Sequence, residues 1–169
     1  CHCTCGMAQT IGTRPQQQDG MQVCRSKAEP RSVVLALLAD GMGGMAHGER
    51  FSRAALDAMS AAFAAADLPP SKPAETLVAW TLEANAQANA QQEESHKGGT
   101  TLLAALFCDG SMTLVSAGDS RIDLCRDDRL LQLNRQHTLG ALMDERACVG
   151  LIDEADAKDY LFRDSLSGY

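Results

Sequence analysis

The sequence predicts an α+β fold in which helices pack on an antiparallel sheet. Three observations carry this. Residues 33–39 form an unbroken apolar run, as a buried strand does. Two long segments with helical spacing follow it. After residue 99 the pattern changes to short strand-like segments divided by turn residues. Strands, then two helices, then strands again place helices on a sheet rather than between parallel strands.

Taken in order, residues 7–12 read as an edge strand and 16–20 as a polar loop. Residues 21–24 are a short strand, and 25–31 a charged turn containing Pro30. The buried strand spans 32–39. Residues 48–66 are a helix, because Phe51, Ala55, Ala58 and Ala62 recur at helical spacing beside Leu56, Met59 and Phe63. Leu68-Pro69-Pro70 ends it. Ser71 is placed to cap a second helix with Pro73 in its first turn. That helix carries Leu77, Trp80, Ala84 and Ala88 on one stripe and runs to about residue 92. A polar loop covers 93–99. Strands at 100–107, 112–117, 121–125 and 129–133 are separated by Asp109-Gly110, Gly118-Asp119-Ser120 and Asp127-Asp128, which reads as a meander of hairpins. A helix at 139–147 and a polar tail complete the chain. There is no internal repeat.

The bulk properties narrow the function. The 169 residues suffice for one domain with a core, and the 45% hydrophobic fraction fits a globular chain. Aromatics make up only 4%, so Leu, Val, Ala and Met must form that core. A net charge of −7 without a basic cluster argues against a nucleic-acid partner. No stretch has the length and apolarity of a membrane span, and no signal-peptide pattern opens the chain, so no membrane partner and a cytoplasmic location are expected. The seven cysteines, an odd number, are no disulfide framework, and buried reduced thiols are expected. Residues 1–6 read as an appendage or scar. A zinc module of Cys1, His2, Cys3 and Cys5 is too tightly spaced. Residues 7–169 then form a partial domain. The start at Cys1 rather than Met fits a fragment or a processed product.

The chemistry concentrates at residues 39–49, Ala-Asp-Gly-Met-Gly-Gly-Met-Ala-His-Gly-Glu. A buried strand that ends in Asp40 and passes into a glycine turn is a site for a hard cation. The strand holds the carboxylate, and the glycines let backbone carbonyls approach. Such a site serves chemistry on an oxygen-rich group such as phosphate. Arg14, five residues before Asp19, reads either as part of an ordinary polar loop, which commonly carries Arg and Asp, or as a bidentate phosphate contact beside a metal held by that acid. Asp119 lies in a Gly-Asp-Ser-Arg turn, which is either a plain hairpin or another metal-facing carboxylate. Glu49 suits a helix start on dipole grounds. Gly98-Gly99-Thr100-Thr101 reads as structural, opening a strand.

In this order the segments resemble the metal-dependent serine/threonine protein phosphatases of type 2C. Residues 14–19 are similar to the family's Arg-x-x-Asn-Gln-Asp opening, with Gln17 where Asn is usual. Residues 39–49 resemble its Ala-Asp-Gly-Met-Gly-Gly…Gly-Glu block. Residues 99–101 resemble its Gly-Thr-Thr strand, 117–121 its Val-Gly-Asp-Ser-Arg turn, and 131–138 its Leu-Thr-x-Asp-His-Ser segment, with Gln136 in place of Asp. The resemblance covers about residues 7–169. It implies a two-layer antiparallel β-sandwich flanked by helix pairs, with two Mn²⁺ or Mg²⁺ ions in a cleft and a third position bordered by Asp119. By position, Asp40 would bridge the metals, Gly41 would ligate through its carbonyl, Asp19 would act through water, and Arg14 would hold the substrate phosphate. The implied reaction is hydrolysis of phosphoserine and phosphothreonine in proteins by a metal-activated water, with a serine/threonine kinase acting in the same pathway. The alternative is a catalytically inactive module that binds phosphoproteins or regulates a kinase. The family domain ordinarily continues to Asp-Gly and Asp-Asn motifs that complete the metal centre. The chain is therefore expected to be an amino-terminal portion, truncated on its C-terminal side and inactive by itself for lack of those ligands.

Overall fold

A strand whose side chains are all aliphatic must be covered on at least one face and paired on both edges. The structure, a computed structural model describing residues 4–26, 32–43, 47–93 and 97–167, meets both conditions. The elements are β1 (Asp19–Arg25), β2 (Val34–Gly43), α1 (Gly48–Ala65), α2 (Pro73–Asn89), β3 (Gly98–Thr100), β4 (Leu102–Cys108), β5 (Ser111–Ala117), β6 (Asp123–Arg126), β7 (Arg129–Gln132), α3 (Leu139–Cys148) and α4 (Glu154–Lys158). They fall into two compact units that divide between Val115 and Ser116.

In the first unit the sheet runs β1-β2-β4-β5, and β3 pairs with the far end of β2. The pairings of β2 with β1, β3 and β4 are antiparallel. Residues opposite each other across such a pair share a face. Leu35, Leu37 and Ala39 therefore point the same way as Gln22, Gly20, Ala104 and Leu106. This is the helix face: a Cβ on Gly20 would stand 2.6 Å from Leu56 Cδ1 of α1, and Ser60 of α1 bonds the Gln22 amide. Leu35, Ala39 and Met59 are fully buried there. The spacing of Phe51, Ala55, Leu56, Met59 and Phe63 explains why α1 can present one continuous apolar stripe to the sheet. α2 packs on α1 through Leu77, Ala84 and Ala88, and Trp80 meets Phe63 edge-to-face at 6.2 Å.

The second unit contains a β6–β7 hairpin, α3 and α4. Asp127 and Asp128 both take the left-handed conformation, φ 51° and 56°, which suits the twist of a two-residue hairpin. Thr138 caps α3 by accepting a bond from the Ala141 amide at 3.1 Å. The segment 163–165 satisfies two further amides at that helix start, with Leu139 N donating to Ser165 O and Gly140 N to Arg163 O, each at 2.8 Å.

Several expectations change. Residues 7–12 form no strand, because Gly12 turns the chain at φ 58° and the Gln17 amide takes the Thr10 carbonyl. β2 does not stop at Ala39 but runs to Gly43. The expected strand at 100–107 is split at Thr101 into β3 and β4. Gly118-Asp119-Ser120 is no hairpin within one meander, since β6 pairs with β7 in a separate sheet. Lys72, not Ser71, is the N-cap of α2, without a side-chain cap bond. α4 lies in what read as a polar tail and buries Ala157. The cysteines among the described residues are free thiols as expected. Cys24 and Cys108, however, are only half-buried, and Cys5, Cys125 and Cys148 are exposed. Residues 1–3 of the appendage, with the Cys1-His2-Cys3 part of the zinc pattern, lie outside the described residues. So do 27–31 of the charged turn, 44–46 of the glycine block, 94–96 of the polar loop and 168–169. No described helix is long and apolar enough to cross a membrane.

Candidate metal centre

β1 opens on Asp19, and its register sets Asp19 directly opposite Asp40 of β2. The two carboxylates thus share the sheet face opposite the one that packs on α1. Like charges opposed across a pair destabilise it. A cation held between them would offset that cost directly. The strand extension holds Asp40 from both sides: Gly41, Met42 and Gly43 pair with Thr100, Gly99 and Gly98 beyond it. The glycines were read as a turn because they are weak strand formers. Here they allow crowding. A Cβ on Gly41 would lie 2.1 Å from the Gly48 carbonyl oxygen and 2.7 Å from that of Gln18. Only glycine lets β2 and the start of α1 approach so closely.

The backbone around the carboxylates is tied by groups that sequence reasoning passed over. Gln18 O, next to Asp19, accepts from Gly41 N at 3.2 Å and from Ser52 Oγ at 2.6 Å. Ser52 is buried on α1, and a lone hydroxyl in that apolar stripe was the available signal. Asp40 N donates to Thr101 Oγ1 at 3.0 Å, while Thr101 N donates to Asp40 O at 2.9 Å. Thr100 Oγ1 stands 3.1 Å from Asp40 O. The two threonines, read as sheet formers, grip the main chain of the candidate ligand.

Asp19, Asp40 and Gly41 come together in the first unit. Arg14 belongs to it too, exposed in the loop before β1. Asp119 lies in the second unit, half-buried in the turn after β5. Asn134, only 9% exposed, spans that turn: its Nδ2 donates to Ser120 O and its Oδ1 accepts from Ile122 N, both at 2.8 Å. Gln136 Nε2 donates to Asp119 O, a bond that the carboxylate usual at this position in the family could not donate as an anion. His137 Nδ1 accepts from Gly118 N at 3.3 Å.

The donor set fits a hard divalent ion. A magnesium-type ion is often held by one or two carboxylates and keeps several waters. Among the described residues no group of three or more His, Cys, Asp and Glu gathers at metal-binding distance, so the Asp19–Asp40 pair is what this face offers.

Comparison with known proteins points to one family. The chain is 38% identical over 119 residues to serine/threonine protein phosphatase PstP of Mycobacterium tuberculosis, covering 66% of this chain and 22% of that protein. It is 29% identical over 154 residues to serine/threonine phosphatase stp of Listeria innocua, covering 87% and 58%. The chain thus spans well under two thirds of either relative. Among solved structures it superposes on the catalytic domain of PstP in complex with 2 manganese ions at a TM-score of 0.58 and 30% identity, covering 89% of this chain and 67% of that one. The protein phosphatase 2C profile matches residues 10–143, a stretch that holds Arg14, Asp19, Asp40, Gly41 and Asp119. With that profile matched over most of its length, and with the α+β fold shared, the chain belongs to the protein phosphatase 2C family.

Proposed function

We propose that this chain carries the Asp19–Asp40 part of a site that hydrolyses phosphoserine and phosphothreonine in proteins. The in-register pair of carboxylates on one sheet face is the observation that carries the reading. Asp40 and the carbonyl of Gly41 would hold Mn²⁺ or Mg²⁺, with Asp19 acting through water. Such ions, when bound, stabilise charge on a phosphoryl oxygen and lower the pKa of water. Arg14 is exposed and five residues from Asp19, and it binds the substrate phosphate through its guanidinium fork. Phosphoryl transfer needs little covalent chemistry from a protein. Rigid placement of these groups is the main task, and Ser52, Thr100 and Thr101 serve it.

The substrate class follows from the reading and from the names of the relatives, which are serine/threonine phosphatases. A serine/threonine kinase that makes the phosphoprotein is the matching partner, in the cytoplasm. The test is release of inorganic phosphate from phosphoserine and phosphothreonine peptides in Mn²⁺, in Mg²⁺ and in EDTA, by the protein containing this chain. Metal-dependent release is expected. Peptide binding without release in either metal would contradict the reading and favour an inactive phosphate-binding module.

A further inference from the structure

We propose that Thr101 is a positioning residue for Asp40. This rests on the reading of Asp40 as a metal ligand. Leu38 pairs with Leu103 and Gly41 with Thr100, so the continuous register puts Asp40 opposite Thr101. Such a pair in a regular antiparallel ladder exchanges two main-chain bonds. One is present, from Thr101 N to Asp40 O at 2.9 Å. The other is replaced: Asp40 N donates to the Thr101 hydroxyl at 3.0 Å instead of to its carbonyl. The Thr101 carbonyl lies instead 2.9 Å from Thr100 Oγ1. The ladder is interrupted at this one position, which is why β3 and β4 are separate strands, and it resumes on either side.

The peptide that carries Asp40 is therefore set by a side chain and not by the ladder. Thr101 is 1% exposed, so water does not compete for the bond. Without the hydroxyl, the cheapest partner for the Asp40 amide is the Thr101 carbonyl, as in an ordinary sheet. That exchange regularises the strand and re-aims the Asp40 carboxylate. Loss of the hydroxyl then costs metal affinity more than it costs stability.

The experiment has two arms. In the wild-type protein, NMR detects couplings across hydrogen bonds. No coupling is expected from Asp40 ¹⁵N to the Thr101 carbonyl carbon, whereas the Thr101 ¹⁵N to Asp40 carbonyl coupling is expected. Detection of the first would overturn the proposal without any variant. In the second arm Mn²⁺ binding is titrated calorimetrically. Thr101→Val, which keeps the shape, is expected to weaken Mn²⁺ about tenfold, the upper end of the scale for one neutral hydrogen bond. Thr101→Ser, which keeps the hydroxyl, is expected within about threefold of wild type. Equal losses in both variants, or none in Thr101→Val, would overturn the positioning role. Asp40→Asn separates this from failure of the underlying reading. If Asp40→Asn keeps wild-type Mn²⁺ affinity, the metal site itself is wrongly assigned and the role of Thr101 falls with it. If Asp40→Asn loses affinity while Thr101→Val keeps it, only the positioning role fails.

Discussion

Replacing Asp19 by Asn should stabilise the metal-free protein and cost it metal-induced stability. Asp19 and Asp40 are exact cross-strand partners, so their Cβ atoms are about 5 Å apart. Asp19 is exposed and Asp40 half-buried, so a water-like dielectric is the right limit for the pair. Two unit charges at about 5 Å then repel by about 0.8 kcal/mol. At physiological ionic strength the Debye length is about 8 Å, which reduces the repulsion to about 0.4 kcal/mol. Asn keeps the shape and removes the charge. In EDTA and low salt, Asp19→Asn should gain about 0.8 kcal/mol, a rise in Tm of roughly 2–3 °C, and the gain should shrink in 1 M salt. Mn²⁺ at about 100 times its Kd stabilises wild type by about 2.7 kcal/mol. The variant should gain less at the same concentration. Urea unfolding reports this through Trp80, the single tryptophan, which packs on Phe63. A variant less stable than wild type in EDTA, or one with an undiminished response to Mn²⁺, would refute the reasoning.

Gly41→Ala should cost about 3 kcal/mol, because its Cβ would meet a backbone oxygen at 2.1 Å. Gly99→Ala, whose nearest neighbour is Met42 Cε at 3.8 Å, should stay within about 1 kcal/mol in the same urea assay. Arg14→Ala should raise KM for a phosphopeptide about tenfold with little change in kcat, read from initial rates. Glu145 is held below its ordinary value of 4.5 by its bond to Arg135, and Asp144 below 3.8 by its bond to Arg163. Because the folded values are the depressed ones, this stabilisation is complete above about pH 5 and is lost as pH falls through the folded values. Protection factors of the α3 amides, taken relative to the intrinsic exchange rate at each pH, should fall across that acid window, and Glu145→Gln with Asp144→Asn should remove that fall.

Much of this was legible because it depends on local pattern. The helical spacing of Phe51, Ala55, Ala58 and Ala62, with Leu56, Met59 and Phe63 beside them, gave α1 to within a residue, and the aliphatic run gave the core of β2. Asp19, Asp40 and Gly41 could be picked out as a type of chemistry. Their pairing could not, because register is a long-range property with no marker in either segment. The end of β2 was misjudged for the same reason: Gly41 and Gly43 lack strand propensity, and their partners lie more than 50 residues away, at Gly98 and Thr100. Ser52 escaped notice, and Thr101 and Asn134 were read only as members of a strand and a motif, because each is a small polar residue whose role is a bond to distant main chain. α4 was missed because its five residues are too short to show a period.

Asp40→Asn in the protein containing this chain tests the central claim most directly. Asn preserves the shape of the residue and the two bonds that its main chain makes to the Thr101 hydroxyl and amide, and it removes the anion. Release of phosphate from a phosphothreonine peptide in saturating Mn²⁺ should fall by at least about 100-fold, the scale of several kcal/mol of lost charge stabilisation. Circular dichroism should show the fold unchanged. Phosphate release within a few-fold of wild type, by a folded Asp40→Asn protein, would contradict the account.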